Sequence, residues 1–423
     1  MRAVKTIFAS ALLLAAGGCA KMTLAWADLS GDGPSASPPL FAAALPSIQE
    51  WETQEKPALR VAFEKDVYGA MPDGSSTEVL DHRVVDAAAF GGKGVLEEYR
   101  IAASATFDGV TRTTKPFYVD VLLPKDAGRP SPVILMETFC PRWDTIPVAG
   151  VTRGENAYSC NGDGMMSGVM HYVFGRYIAT PPIEMILASG YGVVAIFPGE
   201  AVPDSKEDGL KALADLAAGH EDQKTRWGAI GAWGWLFSRV VDVLETDDRV
   251  DQAGLITWGH SRYGKAALVA AAWDPRIDAV VAHQSGTGGA SLNRHKKGES
   301  VGDITREYPH WFSARYAEMA GREEALSVDQ HELLALIAPR PVLLGNARRD
   351  VWSDPNGAFR AAEAASAAYE LYGSKGLDQQ RLDKFNPQAD LSFWIRPGTH
   401  GVVKEDWPAF LEFLDAHFGR GES

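Results

Sequence analysis

The feature that most constrains how this chain folds is the stretch at residues 259–265, which reads Gly-His-Ser-Arg-Tyr-Gly-Lys. It follows an apolar run at residues 253–258 and precedes an alanine-rich run at 266–273, so the pattern predicts a strand, a sharp turn and a helix. Glycines at such a turn let the backbone approach closely where a Cβ would clash. Ser261 is therefore predicted to stand exposed on the turn as a nucleophile. The alternative is a glycine-rich turn with a purely structural role.

Upstream of this stretch, the sequence predicts a helix and then an antiparallel start to a sheet. Residues 51–68 place apolar side chains at helical spacing and end at a Gly-Ala-Met-Pro stop signal. Turn signals then separate three segments of alternating or β-branched character, which predict an antiparallel meander: residues 83–90, 95–104 and 117–123.

Apolar runs further along the chain indicate buried strands that alternate with helix-like segments. The predicted strands cover residues 132–139, 191–197, 277–283, 341–345 and 391–395, and the predicted helices include 228–244 and 355–372. This alternation after an antiparallel start is typical of an α/β protein, a three-layer αβα sandwich with a mostly parallel central sheet. In such sheets ligands bind beyond the carboxyl ends of the strands. Candidate functional residues are therefore those that follow each strand.

The first 27 residues are predicted to be an export signal. Arg2 and Lys5 precede an apolar run, and residues 25–27 read Ala-Trp-Ala, a small-x-small cleavage site. An alternative assigns Cys19 as a lipidated cysteine, which would make the protein a lipoprotein. Either way we expect a secreted or periplasmic protein without a transmembrane segment after processing.

The rest of the chain is predicted to hold one large domain. Residues 28–45 contain the Gly, Ser and Pro typical of a disordered leader, and no linker divides residues 46–423, the predicted catalytic domain. The net charge is −14 at pH 7, and the predicted signal carries basic but no acidic residues. This acidic balance argues against nucleic acid and anionic membrane surfaces as partners.

Cys140 and Cys160 are the only cysteines after the predicted signal. Exported chains meet oxidising conditions in which two thiols tend to pair, so we expect a disulfide between them. The alternative is two separately buried thiols. No Cys or His pair has zinc-ligand spacing and no glycine-rich phosphate loop is present, so the sequence implies no metal and no cofactor.

A general base for Ser261 is predicted at the end of the last strand. His400 lies on a glycine-flanked loop directly after residues 391–395. Among the other histidines, His82 precedes an early strand and His417 lies in a terminal helix, so each has a simpler surface or core role. His400 is therefore the predicted base.

The predicted acid follows the strand at residues 341–345. After the preceding strand the first side chain is Gln284, which cannot carry the charge that stabilises an imidazolium. The later loop contains Asp350 and Asp354, and Asp354 stands just before a proline, where it is explained as a helix N-cap. Asp350 is therefore the predicted acid.

The chain order Ser261, Asp350, His400 matches that of the α/β-hydrolases. Two cations lie beside this nucleophile. Arg262 follows it directly, and Lys265 comes one helical turn later on the same face. Together they suit a polar, oxygen-rich acyl group, whereas the simpler alternative for Lys265 is a solvated helix charge.

At this point the residues resemble a known family. The pattern Gly-x-Ser-Arg-x-Gly-Lys, followed by Gln-Ser-Gly-Thr-Gly-Gly-Ala at 284–290 and Gly-Glu at 298–299, is similar to the glucuronoyl esterases of carbohydrate esterase family 15. Members hydrolyse esters between 4-O-methyl-glucuronic acid on xylan and alcohols of lignin. The resemblance implies glucuronoxylan and lignin–carbohydrate esters as binding partners and substrates.

The resemblance also implies roles for individual residues. Those of catalysis are Ser261 as nucleophile, His400 as base and Arg262 as the oxyanion arginine. Lys265 and Glu299 would contact sugar hydroxyls, and Trp352 would flank the sugar ring. This chain departs from many members at Gln284, where they carry a glutamate, and others use an aspartate where this chain has Asp350.

Two other functions remain open from the sequence. One is another exported carbohydrate esterase, such as an acetyl-xylan or feruloyl esterase, although Arg262 and Lys265 argue against a sugar that supplies only the alcohol. The other is a non-catalytic carbohydrate-binding protein on a hydrolase fold, against which the ordered Ser, Asp and His argue.

Overall fold

The computed structural model describes residues 37–41, 45–154, 159–161 and 165–419. The predicted export signal and Cys19 lie outside these residues, as does most of the predicted leader. Within the leader, the ring of Phe41 meets that of Trp51 edge-on, with the ring centroids 5.7 Å apart. The limits of leader and catalytic domain stay predictions.

Ten strands of the described chain form one mixed sheet in the order β1-β2-β4-β6-β5-β7-β8-β9-β10, with β3 paired to β2. The strands are β1 Gly74–Ala88, β2 Gly94–Phe107, β3 Val110–Thr113, β4 Phe117–Pro124, β5 Ser131–Glu137, β6 Gly192–Ile196, β7 Val250–His260, β8 Ala279–His283, β9 Val342–Ala347 and β10 Leu391–Arg396. Pairings from β1 to β4, and between β4 and β6, are antiparallel. Those from β6 through β10 are parallel. The predicted mostly parallel sheet with an antiparallel start is confirmed.

Helices cover both faces of this sheet. Those of eight residues or more in the described chain are α1 Lys56–Phe63, α2 Met165–Phe174, α3 Lys206–Leu216, α4 Ala229–Leu244, α5 Arg262–Trp273, α6 Pro355–Glu370 and α7 Asp406–Phe418. Shorter helical turns cover Ile48–Glu50, Ala89–Gly92, Arg142–Thr145, Ile183–Ala188, Val301–Glu307, Ala314–Ala317 and Gln330–Ala335.

Two hydrophobic clusters, one on each face, hold the layers together. Along β5, Val133 and Leu135 belong to the cluster that contains α4, α5 and α6, whereas Ile134 and Met136 belong to the cluster that contains α7. Successive residues of a strand point to opposite faces, so these clusters lie on opposite sides of the sheet. The molecule is therefore the three-layer αβα sandwich of an α/β-hydrolase, as predicted.

Several predicted boundaries were wrong. The first strand begins at Gly74 and not at residue 83, and it ends before a helical turn at Ala89–Gly92. Residues 51–68 are helical, but π-helical segments at Trp51–Glu55 and Glu64–Tyr68 flank α1. No helix in the described part of the chain is long and apolar enough to span a membrane.

Candidate active site

Ser261 occupies a strained turn between β7 and α5. Its backbone has φ 56° and ψ −119°, a left-handed conformation that non-glycine residues seldom adopt outside functional sites. A Cβ on Gly259 would come within 2.0 Å of the Tyr263 carbonyl oxygen, so the turn requires glycine at that position. The Ser261 N–H donates to the His283 carbonyl at 2.8 Å and ties the turn to β8. Ser261 thus stands at the N-terminal end of α5, where the helix carries partial positive charge.

His400 and Asp350 are bonded to each other at the carboxyl ends of β10 and β9. His400 Nδ1 lies 2.7 Å from Asp350 Oδ2. Burial by itself raises the pKa of Asp350, but the adjacent His400 and hydrogen bonds from Ser353 hold that pKa below its usual value. Because the carboxylate accepts a hydrogen bond from Nδ1–H, the imidazole Nε2 carries the lone pair that a general base needs.

The loop that carries His400 reaches across β8 and β9 towards β7. The ring of His400 lies 4.5 Å, centroid to centroid, from the ring of His260, which directly precedes Ser261. His260 is buried, and its Nδ1 lies 3.1 Å from Nδ1 of His283. Burial lowers the pKa of His260 far below its ordinary value, so the ring beside His400 is uncharged.

Asp354, the other carboxylate of the β9 loop, turns away from the histidine. Its Oδ1 accepts from the Gly357 N–H at 3.0 Å and caps the N-terminus of α6. The interpretation of Asp354 as an N-cap is confirmed.

Arg262 is held by one carboxylate and three aromatic side chains. Its Nη1 donates to Asp204, and its guanidinium lies over three rings, those of Phe139 at 5.2 Å, Tyr308 at 5.6 Å and Trp311 at 4.7 Å. These contacts fix the plane of the guanidinium while its side chain stays 22% exposed.

Asp204 is itself fixed by two donors from one loop. His310 Nε2 lies 2.8 Å and Trp311 Nε1 lies 2.9 Å from Asp204 Oδ1. Burial and the neighbouring Arg262 lower the pKa of His310 to about 4, so this ring is neutral at ordinary pH. Sequence reasoning missed Asp204, His310 and Trp311, because their contacts with Arg262 depend on how separate loops pack.

Lys265, Glu299 and Trp352 form a second group near Ser261, and the Lys265 ammonium lies 5.9 Å from the centroid of the Trp311 ring, which also packs on Arg262. Lys265 is 3% exposed, and its ammonium donates to the Ser285 carbonyl. Burial lowers the pKa of Lys265 to about 8. Burial likewise raises the pKa of Glu299, although the positive charge of Lys265 opposes that shift. The structure therefore places two oppositely charged, poorly solvated groups near each other.

Trp352 forms the exposed part of this group. Its indole Nε1 donates to Glu299 Oε1 at 2.9 Å, and the Glu299 N–H donates to the Trp352 carbonyl at 3.1 Å. The side chain is 39% exposed, which is unusual for tryptophan. Lys296, also buried and electrostatically coupled to Glu299, is a further member that sequence reasoning missed.

The connection between β5 and β6 packs against the His400 loop. The predicted disulfide between Cys140 and Cys160 is present in this connection and closes a sequence separation of 20 residues. Farther along, the Val402 N–H donates to the Phe174 carbonyl at 2.7 Å, and the Tyr177 N–H donates back to the Val402 carbonyl at 3.2 Å.

In the part of the chain that is described, no group of three or more His, Cys, Asp or Glu side chains is arranged to hold a metal ion.

Known proteins resemble this chain in sequence and in fold. A sequence profile described as fungal glucuronyl esterase matches residues 219–373. The chain is 33% identical over 390 residues to carbohydrate esterase MZ0003 from an unknown prokaryotic organism, which covers 89% of this chain and 87% of the relative. It is also 34% identical over 154 residues to 4-O-methyl-glucuronoyl methylesterase 1 of Wolfiporia cocos, covering 34% of this chain and 38% of the relative.

Solved structures agree with these relatives. A promiscuous esterase of carbohydrate esterase family 15 from a marine bacterial metagenome superposes with a TM-score of 0.76 at 30% identity, covering 92% of this chain and 99% of the other. A glucuronoyl esterase from Solibacter usitatus superposes with a TM-score of 0.74 at 29% identity, with the same coverage.

Proposed function

The chain belongs to carbohydrate esterase family 15, the family of the glucuronoyl esterases, and from that membership we propose that it is a serine esterase that hydrolyses esters of glucuronic acid. The physiological substrate is the ester that joins 4-O-methyl-glucuronic acid of glucuronoxylan to alcohols of lignin. The single observation that carries this substrate class is the position of two cations, Arg262 and Lys265, on the first turn of the helix that follows Ser261. A substrate whose acyl half is an oxygen-rich sugar acid suits such a surface.

The acylation step uses the bonded pair at the ends of β9 and β10. Ser261 Oγ attacks the ester carbonyl carbon while His400 Nε2 takes the hydroxyl proton. Asp350, bonded to Nδ1 at 2.7 Å, orients the ring and stabilises the imidazolium that forms. When the C–O bond to the alcohol breaks, His400 returns the proton to the departing alkoxide oxygen, and an ester between Ser261 and the uronic acid remains.

Deacylation repeats these steps with water as the nucleophile. His400 takes a proton from water, the resulting hydroxide attacks the acyl carbon, and Ser261 Oγ leaves with the proton that His400 gives back. In both steps the carbonyl oxygen becomes an oxyanion next to Arg262. The contacts of Arg262 with Asp204 and Trp311 hold its guanidinium in place before substrate arrives, and such preorganisation is what makes a cation effective in a transition state.

Recognition of the sugar is assigned to the group that contains Lys265, Glu299 and Trp352. Lys265 and Glu299 offer a donor and an acceptor for ring hydroxyls, and the exposed face of Trp352 offers an apolar surface for the pyranose ring. These groups interact with atoms that are the same in substrate and transition state, so they act mainly on binding.

A substrate panel tests this function. The purified protein should release benzyl alcohol from benzyl glucuronate faster than acetate from acetylated xylan or ferulate from a feruloyl sugar ester, and Ser261→Ala should remove all three activities. Faster release of acetate or ferulate would replace the proposal with the acetyl-xylan or feruloyl esterase alternative. No hydrolysis of any ester by the folded protein would favour a carbohydrate-binding role.

We also propose that the enzyme acts after export. The signal-like pattern of the first 27 residues and the Cys140–Cys160 disulfide support this location. Cell fractionation with N-terminal sequencing tests it, and the expected N-terminus lies near Asp28.

A further inference from the structure

The side chain of Gln284 contacts the backbone on both sides of His400. Gln284 directly follows β8 and is 1% exposed. Its Oε1 accepts from the Gly401 N–H at 2.8 Å, and its Nε2 donates to the Thr399 carbonyl at 3.3 Å. One amide therefore holds the residues immediately before and after His400.

A neutral amide satisfies both of these backbone groups, whereas an ionised carboxylate cannot. The Gly401 N–H requires an acceptor and the Thr399 carbonyl requires a donor, and a glutamine side chain carries one of each. A glutamate at the same position could accept from Gly401 but would set a carboxylate against the Thr399 carbonyl. The bonding pattern thus matches glutamine specifically and not merely a polar residue of that size.

The loop has little freedom to find another arrangement. Arg396 donates to the carbonyls of Thr399 at 3.3 Å and Gly401 at 2.6 Å from the β10 side. A Cβ on Gly401 would lie 2.3 Å from the Phe174 carbonyl oxygen. Arg396 binds only carbonyl oxygens of this loop, so Gln284 supplies the acceptor for the Gly401 N–H.

We propose that Gln284 is a positioning residue, an uncharged clamp that fixes the His400 loop so that Asp350 is the carboxylate that pairs with the imidazole. The proposal rests on the proposed function for the role of His400. Many family members carry an acid where this chain has Gln284. Here the Gln284 amide contacts the backbone around the His400 ring, while Asp350 supplies the carboxylate for Nδ1. Loss of the clamp should misplace His400, and errors of about 1 Å in a reacting group cost on the order of 100-fold in rate.

Two substitutions at Gln284 distinguish the effect of losing the hydrogen bonds from the effect of adding a negative charge. Gln284→Met keeps the length and removes both hydrogen bonds, and Gln284→Glu keeps the acceptor but adds a charge. Gln379→Met is the matched control. Gln379 is also buried, and its side-chain amide also bonds backbone, including the Phe393 N–H and carbonyl, but this contact lies within β10, before the His400 loop begins.

The readout is the rate at which a fluorophosphonate phosphonylates Ser261, measured from pH 5 to 9 beside kcat and KM for benzyl glucuronate. Phosphonylation needs the activated serine but no sugar, so it stays measurable if the sugar specificity is wrong. A wild-type protein that does not react at all would instead overturn the serine-esterase proposal. Near-ultraviolet circular dichroism checks that each variant is folded.

We expect Gln284→Met to slow phosphonylation and kcat at least tenfold, with KM within twofold of wild type, while Gln379→Met stays within twofold in both. In Gln284→Glu the added negative charge favours the imidazolium, so the acid limb of the profile should move to higher pH. Groups already facing this loop are Asp350, His260, His283, Arg396 and Glu299. They are unchanged in the three single variants at positions 284 and 379.

Three results would overturn the clamp. The first is a Gln284→Met protein that reacts like wild type. The second is an equal loss in Gln379→Met, which would indicate a general cost of removing a buried amide. The third is restored turnover when Gln284→Glu is added to Asp350→Asn, since a side chain at 284 would then reach the ring itself. If Gln284→Met does not fold, Gln284→Glu and the double variant decide the question.

Discussion

Two pairs of groups near Ser261 differ in how complete they are. His400 and Asp350, called the His400 side, are already joined by a hydrogen bond of 2.7 Å. Lys265 and Glu299, called the Lys265 side, are buried near each other with pKa values that burial moves towards neutrality, Lys265 down to about 8 and Glu299 upwards. The first pair is complete without substrate, whereas the second bears a desolvation cost that a hydroxyl-rich ligand can relieve. We infer that the His400 side acts on charge that develops during the reaction and the Lys265 side on groups present in the ground state. Kinetic effects should divide accordingly between kcat and KM.

The largest effect is expected from the reacting residues themselves. Ser261→Ala and His400→Ala should each lower kcat by several powers of ten, because Ser261 is the proposed nucleophile and His400 the proposed carrier of its proton. Steady-state hydrolysis of benzyl glucuronate measures this, and His417→Ala on α7 is a control that should keep full activity. If either active-site variant kept a tenth of wild-type turnover, the His400 side would not be the catalytic one.

Arg262→Lys should lower kcat about 100-fold, with a smaller change in KM. A lysine keeps the charge but cannot reproduce the planar contacts with Asp204 and Trp311 that orient the guanidinium. Arg360→Lys, at a buried arginine on α6, is the control. A rise in KM without loss of kcat would indicate that Arg262 binds the sugar and does not stabilise the oxyanion.

The KM for a glucuronate ester should rise several-fold as pH increases through about 8. The pKa of Lys265 is lowered to about 8, so above that pH the amine loses the proton with which it donates most strongly to sugar hydroxyls. Initial rates from pH 6 to 9.5 measure the change. Lys265→Met should have a high KM that no longer varies in this range, and exposed Lys404→Met should behave as wild type. An unchanged pH dependence in Lys265→Met would assign the effect to another group.

The smallest effect on catalysis is expected from the disulfide, which lies outside both groups. Replacing Cys140 and Cys160 by serine should lower the free energy of unfolding by about 3 kcal/mol, the chain-entropy value for a loop of this size. Denaturant unfolding measures it, and kcat and KM should stay within twofold at 25 °C. Two free thiols in the denatured, unreduced protein would show that the bridge does not form.

Sequence alone located the strand ends better than the surroundings of the site. The turns that carry Ser261, Asp350 and His400 could be predicted because each follows an apolar run whose burial leaves a clear hydrophobic signal. Strand β1 was misplaced for the opposite reason. Most of its side chains are exposed, so no buried face imposes an alternating pattern on residues 74–82.

The partners of these residues could not be predicted. Asp204 and Trp311 meet Arg262 from loops 58 and 49 positions away, and loop packing of this kind has no periodic signature. Similarly, the sequence excluded Gln284 as an acid but gave no reason to expect its bonds to Thr399 and Gly401. Those bonds exist only because β8 and β10 end at the same edge of the sheet.

The most direct test of the division between the two sides compares Asp350→Asn with Glu299→Gln. Both substitutions replace a buried carboxylate by its amide and change little in shape, and Asp354→Asn, at the N-cap of α6, is the control that should remain near wild type. The measurement is kcat and KM for benzyl glucuronate at pH 7. We expect Asp350→Asn to lower kcat by roughly 10³ or more with KM nearly unchanged, and Glu299→Gln to raise KM several-fold with kcat largely kept. A kcat loss in Glu299→Gln that equals or exceeds the loss in Asp350→Asn would contradict it.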